Sequence, residues 1–384
     1  MTLFWTGELN DAHRFQAEVG FYDTTLRDGE QTVGVVLSPE DKLELARGLD
    51  ELGIERIEAG FPRVSDDDWR AVELIRDAGL NAEVWGFSRA VDADVKALVE
   101  LGVGASVIES PISDLKLEAL GVDREAMLER IVYAISFAVD QDITVAFFGV
   151  DGTRADPAYF ETVYKTAVEA GAKEVVVVDT IGIAGPEAAA DLVGRTREWV
   201  GPDVPIHFHG HNDFGLATAA AIAAVRAGAR WVQGTINGMG ERAGNANLPE
   251  VALALRGLYG VDTNLQLDKV RVFSERLRAI SGYELEPYKP LVGENLYSRE
   301  SGAVASQFHD PPAIEPYSSE LVGAERRIVL GKKSGIDSIR IKADELGLDL
   351  SADAQRDLLL RVKELGTQKR GLVSDEEFRK LAGG

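Results

Sequence analysis

The chain has 384 residues, of which 45% are hydrophobic and 27% charged, with a net charge of −23 and no cysteine. That length fits one barrel-sized domain plus an appendage, and so acidic a surface excludes nucleic acid and anionic membrane as partners. Disulfides, thiolate catalysis and thiolate-held metal are excluded too. No apolar run approaches the roughly 18 residues of a membrane helix. The opening stretch MTLFWTGELNDAHRF lacks a basic start followed by an apolar run, so a cytoplasmic protein is expected.

Taken in chain order, residues 1–18 read as an N-terminal extension. From residue 19, short β-branched runs alternate with amphipathic stretches. The predicted strands are Val19–Thr24, Ile54–Gly60, Ala82–Ser88, Ala105–Ser110, Ile143–Val150, Glu174–Thr180, Ile206–His211 and Trp231–Asn237. Helices are predicted over Glu40–Leu52, Asp66–Ala78, Asp92–Leu101, Arg124–Val139, Pro157–Ala170, Pro186–Val200 and Thr218–Ala227. Eight strands alternating with helices predict an α/β fold, a parallel (β/α)8 TIM barrel over residues 19–280. An open doubly wound sheet would want a glycine-rich phosphate loop after its first strand, and DTTLRDGEQ is not one. Beyond residue 280 turn formers dominate. Helices near Ser334–Leu346, Ala352–Glu364 and Ser374–Leu381 mark a small, mostly helical C-terminal subdomain over 281–384.

Polar residues gather where the barrel strands end, the face on which such barrels carry their active sites. Asp23, Arg27 and Asp28 follow the first strand, and Glu58 lies near the end of the second. Asp179 and Thr180 end the sixth, His209, His211 and Asp213 the seventh, and Asn237, Glu241 and Asn245 follow the eighth. His209 and His211 are two apart on a strand, so both imidazoles share a face. Of five histidines in the chain, three fall between positions 207 and 211, with His207 deeper along the strand. Two imidazoles beside a carboxylate point to a divalent metal site, against a purely structural network. Asp28 is the carboxylate candidate; before Gly29 it would also suit a turn. Arg27 could hold a substrate carboxylate or enolate, or serve as a barrel-end ion pair. The loop GTINGMGERAGNANL, with Asn237, Glu241, Arg242, Gly244 and Asn245, could bring backbone close to a ligand or be a flexible connection. A mixed oxygen and nitrogen ligand set suits Mg2+, Mn2+, Co2+ or Zn2+ with open positions, an ion able to polarise the carbonyl of a 2-oxo acid.

The stretches FYDTTLRDGEQT (21–32), IEAGFP (57–62), VVDTIG (177–182), HGHNDFGLATA (209–219), NGMGERAGNA (237–246) and ELVGAERRIVLGKKSG (320–335) occur in one order along the chain. Together they resemble the metal-dependent Claisen-condensing barrels: homocitrate synthase, 2-isopropylmalate synthase and citramalate synthase, with 3-hydroxy-3-methylglutaryl-CoA lyase as a relative. The likeness spans nearly the whole chain. GFSRAVDADVKALVELGV, SPISDLKLEALG and GERAGNA look most like short homocitrate synthases, and by that likeness the C-terminal leucine-sensing domain of the family is not expected. The resemblance implies a metal held by Asp28, His209 and His211, with Asn245 close by or bound through water. It implies Arg27 as the group stabilising an enolate-like oxygen and Glu241 as the orienter of a catalytic partner. Gln31, Glu58, Thr180 and Gly244 would contact substrate, Thr180 at the carboxylate, and Arg89 a distal carboxylate. The implied reaction is attack of an acetyl-CoA enolate on a metal-bound 2-oxo acid, followed by thioester hydrolysis to a 2-hydroxy di- or tricarboxylate. A homodimer is implied as well.

Four positions depart from the family pattern. Val150 stands where Glu is usual, Arg299 and Val304 replace two histidines around YSRESGAVASQ, and Ile314 replaces a Tyr. Valine and isoleucine transfer no protons, so His309, Tyr297 or Tyr317 takes over or the proton path differs. These departures keep a second reading open, a metal-dependent carbon–carbon lyase or aldolase on a 2-hydroxy or 2-oxo acid. A third is a non-catalytic paralogue that binds a carboxylate.

Overall fold

The computed structural model describes residues 3–383; residues 1, 2 and 384, at the outer ends of the expected extension and subdomain, lie outside that range. Two compact units divide the chain: residues 10–267 with 272–284, and residues 3–9, 268–271 and 285–383.

The larger unit is a closed parallel barrel in which eight strands pair in sequence order and the eighth closes on the first. The strands are β1 (Gly20–Asp23), β2 (Arg56–Glu58), β3 (Glu83–Arg89), β4 (Ala105–Pro111), β5 (Thr144–Val150), β6 (Glu174–Asp179), β7 (Ile206–Gly210) and β8 (Trp231–Gly234). The helices between them are α1 (Pro39–Glu51), α2 (Asp66–Arg76), α3 (Asp92–Leu101), α4 (Asp114–Leu120), α5 (Arg124–Asp140), α6 (Pro157–Glu169), α7 (Pro186–Val200) and α8 (Ala217–Arg226), followed by α9 (Leu248–Ala254) and α10 (Leu267–Ser281).

Local chemistry sets these boundaries. Ser38 caps α1 in a reciprocal capping box with Asp41, and Pro39 occupies the first helical position. Ser65, Asp123 and Asp156 cap α2, α5 and α6 through side-chain oxygens. Gly102 ends α3 in the left-handed conformation. β6, EVVVVD, is buried along its whole length, as a strand covered on both faces must be.

Alternate residues of consecutive strands fill the interior. Tyr22, Trp85, Phe87, Ala105, Val107, Ala146, Phe148, Val176 and Val178 form one buried cluster. At its floor, Glu174 accepts from Arg56 Nη1 at 2.6 Å and Nη2 at 3.0 Å and also bonds His207. The guanidinium lies 4.6 Å from the Trp85 ring centroid and 3.8 Å from that of Trp231. His207 is therefore a wholly buried member of a structural network.

The parallel barrel with a helical C-terminal region is as expected from the sequence. The differences lie in the connections. β8 stops at Gly234, three residues early, because the chain turns through Ile236–Gly238 with Asn237 at φ 64°. α4, α9 and α10 were not anticipated. In the second unit, α11 (Gly302–Ala305), α12 (Ile336–Glu345), α13 (Ala352–Lys369) and α14 (Asp375–Ala382) accompany β9 (Ser298–Arg299) and β10 (Arg327–Ile328), which pair in parallel. Phe308, Ile339, Leu358, Val362 and Phe378 belong to its own apolar core. No helix among the described residues is long and apolar enough to cross a membrane.

Candidate metal and substrate site

The turn after β1 and the C-terminal end of β7 deliver the acidic and imidazole groups to one point. Asp28 Oδ2 lies 3.3 Å from His209 Nε2 and 3.5 Å from His211 Nε2, with all three residues buried. An isolated bridge between His211 and Asn245 brings the glycine-rich loop alongside. Asn245 donates through Nδ2 to the Met239 carbonyl at 3.0 Å. Its Oδ1, like Asp28 Oδ1 and both Nδ1 atoms of His209 and His211, is buried without a hydrogen-bond partner. Burying such polar atoms unpaired costs free energy unless something else pairs with them.

The electrostatics prepare these atoms as ligands. Burial opposes the Asp28 charge, yet Arg27 and the two imidazoles outweigh it and hold the carboxyl well below its usual range. Burial pushes the His209 imidazole down to about 4, against the pull of Asp28. An ionised carboxylate and a neutral imidazole are the protonation states a hard-to-borderline divalent cation needs. Ligand atoms about 2.1 Å from one ion in octahedral or tetrahedral geometry are separated by roughly 3.0–3.5 Å. The Nε2–Oδ2 spacing and the unpaired oxygens of Asp28 and Asn245 therefore fit a divalent ion.

Arg27 borders this cluster. Its Nε donates to Glu58 Oε2 at 2.8 Å, its Nη1 faces Asp28 Oδ2 at 3.5 Å, and its guanidinium lies 4.1 Å over the Phe87 ring. Nη2 is left as a buried donor without a partner. Glu58, expected to contact substrate, is wholly buried behind Arg27 and accepts from Tyr22 Oη at 3.2 Å.

A cavity of about 680 Å³ opens over these groups, lined by Arg27, Asp28, His209 and His211 together with Gln31, Arg89, Thr180 and Glu241. Thr180 Oγ1 accepts from the Asp151 amide at 2.7 Å, which leaves its proton free for the cavity. Arg89 is already engaged: Nε and Nη2 reach Asp94 at 2.7 and 3.2 Å. Gly244, also expected at substrate, shapes the loop. It sits at φ +83°, and a Cβ there would come within 1.9 Å of the Gly238 carbonyl oxygen. Asp179 turns away to accept from the Ile183 and Ala184 amides at 3.0 and 2.9 Å.

The sequence reading missed several cavity residues. Glu109, Ser110, Lys116, Met127, Arg130, Phe61, Phe87 and Phe148 all line it, as does Val150. For Glu109 a signal existed: a carboxylate two residues beyond Val107 shares the inward face of an otherwise apolar strand. In the second unit, Tyr297 Oη donates to the Tyr317 carbonyl at 3.0 Å, Arg299 and Arg326 both reach the buried Glu315, and His309 is exposed.

The HMGL-like family profile matches residues 18–276, and the profile described as homocitrate synthase post-HMGL domain-like matches residues 291–370. This chain belongs to the HMGL-like family. Among its relatives is a homocitrate synthase of Methanopyrus kandleri, 43% identical over 95% of this chain and 91% of that protein. A putative (R)-citramalate synthase of the same organism is 42% identical over 95% of this chain and 72% of that one. A probable 2-isopropylmalate synthase, again from M. kandleri, is 41% identical over 91% and 70%. Identities this close do not choose among the three substrates. The HMG-CoA lyase of Brucella melitensis shares the fold, with a TM-score of 0.62 at 20% identity over 70% of this chain and all of that one.

Proposed function

We propose that this HMGL-like protein is an acyl-CoA:2-oxo acid C-acyltransferase, homocitrate-synthase-like, that joins acetyl-CoA or a related thioester to a 2-oxo acid. The observation that carries the reading is the convergence of Asp28, His209 and His211 beside an arginine with one unpartnered buried nitrogen, in a chain 41–43% identical to three synthases of that chemistry.

Asp28, His209 and His211 would hold a divalent ion (Mg2+, Mn2+, Co2+ or Zn2+), with the free Asn245 oxygen beside them. Such an ion supplies Lewis acidity toward the carbonyl and carboxylate of a 2-oxo acid. Arg27, locked by Glu58, offers Nη2 to the oxygen on which negative charge develops; a donor fixed in advance needs no reorganisation during the reaction. The Thr180 hydroxyl and Gln31 offer hydrogen bonds to the substrate carboxylate, and Glu241 orients a catalytic partner. The thioester loses a proton from its α-carbon, and that carbon bonds to the carbonyl carbon as the C=O π electrons move to oxygen, which takes up a proton to become the 2-hydroxyl; water then cleaves the C–S bond to give free thiol and a new carboxylate.

The test is free-thiol release with acetyl-CoA, a panel of 2-oxo acids and a divalent ion. Release that needs all three supports the reading; none with any 2-oxo acid overturns it. Val150 at the cavity wall favours a second reading, metal-dependent carbon–carbon cleavage of a 2-hydroxy acid without CoA. It is checked by incubating candidate 2-hydroxy acids with protein and ion alone. A homodimer belongs to the same proposal. Val33, Val36, Ile183 and Phe214, exposed on loops after β1, β6 and β7, give the barrel mouth an apolar rim that a second body could cover.

A further inference from the structure

The residues that border the metal cluster continue as an aromatic wall. The Phe148 ring lies 5.1 Å from the His209 ring, Phe87 lies 6.3 Å from Phe148, and Phe61 lies 5.6 Å from Phe87. Arg27 covers the Phe87 face and Arg89 lies 5.3 Å over Phe61. Val150, Val178 and Met127 line the same cavity. A 2-oxo acid seated against Arg27, His209 and His211 thus extends its side chain along apolar and aromatic surface.

Charge argues the same way. At the wall Arg89 is matched by Asp94, and Arg27 is held by Glu58 and Asp28 with only Nη2 open, the nitrogen assigned to the reacting oxygen. Glu109 adds a further carboxyl between them. Its strand neighbours are Arg89 on β3 and Phe148 on β5. Burial raises it to about 7 against the pull of Arg27 and Arg89, with Glu58 and Asp28 raising it further. Lys116 and Arg130 reach the cavity from α4 and α5, Arg130 exposed to solvent. At the wall itself a second substrate carboxylate would meet aromatic faces, the Glu109 carboxyl and an arginine already paired with Asp94, whereas Lys116 and Arg130 stand on the helices across from it.

We infer that the cavity selects a 2-oxo acid with an uncharged, apolar side chain, and that Glu109 with the Phe61–Phe87–Phe148 wall sets this choice. The inference rests on the condensing-enzyme reading and names its substrate class. Glu109 acts as a specificity-determining residue: it discriminates against dianions as much as the wall attracts apolar groups.

The experiment is calorimetric titration of the Mn2+-loaded protein with pyruvate, 2-oxoisovalerate, 4-methyl-2-oxopentanoate, phenylpyruvate, oxaloacetate and 2-oxoglutarate, paired with thiol release from acetyl-CoA. At least one branched or aromatic 2-oxo acid is expected to bind at least about tenfold more tightly than either dicarboxylate. Glu109→Gln, nearly isosteric, is expected to narrow that gap by about threefold or more by improving the dicarboxylates, with Mn2+ affinity unchanged. Phe148→Leu is expected to weaken the apolar ligands alone. Equal or tighter binding of a dicarboxylate, an unchanged ratio in Glu109→Gln, or no binding by any member overturns the inference. Apolar preference without thiol release would sink the condensing reaction and leave this selectivity standing. Thiol release with a dicarboxylate preferred would sink the selectivity alone.

Discussion

Glu58 Oε2 holds Arg27 Nε at 2.8 Å, and that bond decides which nitrogen of the guanidinium faces the cavity. Burial raises the Glu58 carboxyl above its ordinary range, with Arg27 pulling it down, so the pair is a charge-assisted contact in a water-poor setting. Arg27→Lys should lower kcat by about 10²–10³-fold, the usual cost of losing a pre-placed donor. Glu58→Gln should lower it by roughly tenfold through misorientation, as loss of a supporting partner does. Steady-state kinetics checks both, and a divalent-ion affinity that collapses in Glu58→Gln would contradict the division of labour.

Metal affinity should separate His209 from His207, two residues earlier on β7. His209→Gln and Asp28→Asn are each expected to weaken Mn2+ binding by more than the roughly 100-fold that an outer partner can cost. His207→Gln should leave Mn2+ binding within about threefold and lower the melting temperature instead, because His207 bonds Glu174 and Gln233 at the barrel floor. Calorimetry and thermal denaturation, run on the same variants, check this pattern.

Sequence alone placed eight strands and put the Asp28, His209 and His211 trio on one end of the barrel. Strand burial and two-residue parity are local properties, and a parallel barrel collects every strand end on one face. Glu109 escaped because which inward residue reaches the cavity depends on strand stagger around the closed sheet, a property of the whole barrel. Glu58 and Gly244 are implied at substrate by the resemblance; Glu58 lies behind Arg27, and Gly244 packs on the Gly238 carbonyl within its own loop. Arg89 lines the cavity as its position suggests. Its pairing with Asp94, five residues on, was readable in principle from SRAVDAD, where the strand turns directly into α3.

The barrel floor should govern acid stability. Burial disfavours the Glu174 charge, yet His207 and Arg56 outweigh it and lower its carboxyl from 4.5 to about 2. A depressed folded value means stabilisation fully present above about pH 4.5 and lost as pH falls toward 2. Glu174→Gln should cost on the order of 3 kcal/mol near neutrality, by removing the buried carboxylate shared by Arg56 and His207 and leaving Arg56 only Glu83, and should flatten the loss of stability across that acid window. Denaturant melts at several pH values check the slope.

Gly244→Ala should damage the metal site through the backbone. The position has a left-handed φ of +83°, and the new Cβ would overlap the Gly238 carbonyl. The strain is of order 1–3 kcal/mol, enough for a drop of several degrees in melting temperature. Asn245 is the next residue, so Mn2+ affinity should fall with it. A variant of unaltered stability and affinity would show that the loop has slack the geometry does not suggest.

The most direct test strips the protein with chelator and follows thiol release from acetyl-CoA and a 2-oxo acid while a divalent ion is titrated back. Release is expected to be absent from the stripped protein, to rise to a plateau at one ion per chain, and to stay absent in Asp28→Asn at the same ion concentration. Full release in the presence of chelator, or undiminished release in Asp28→Asn, would contradict the assignment of the chemistry to the Asp28, His209 and His211 cluster.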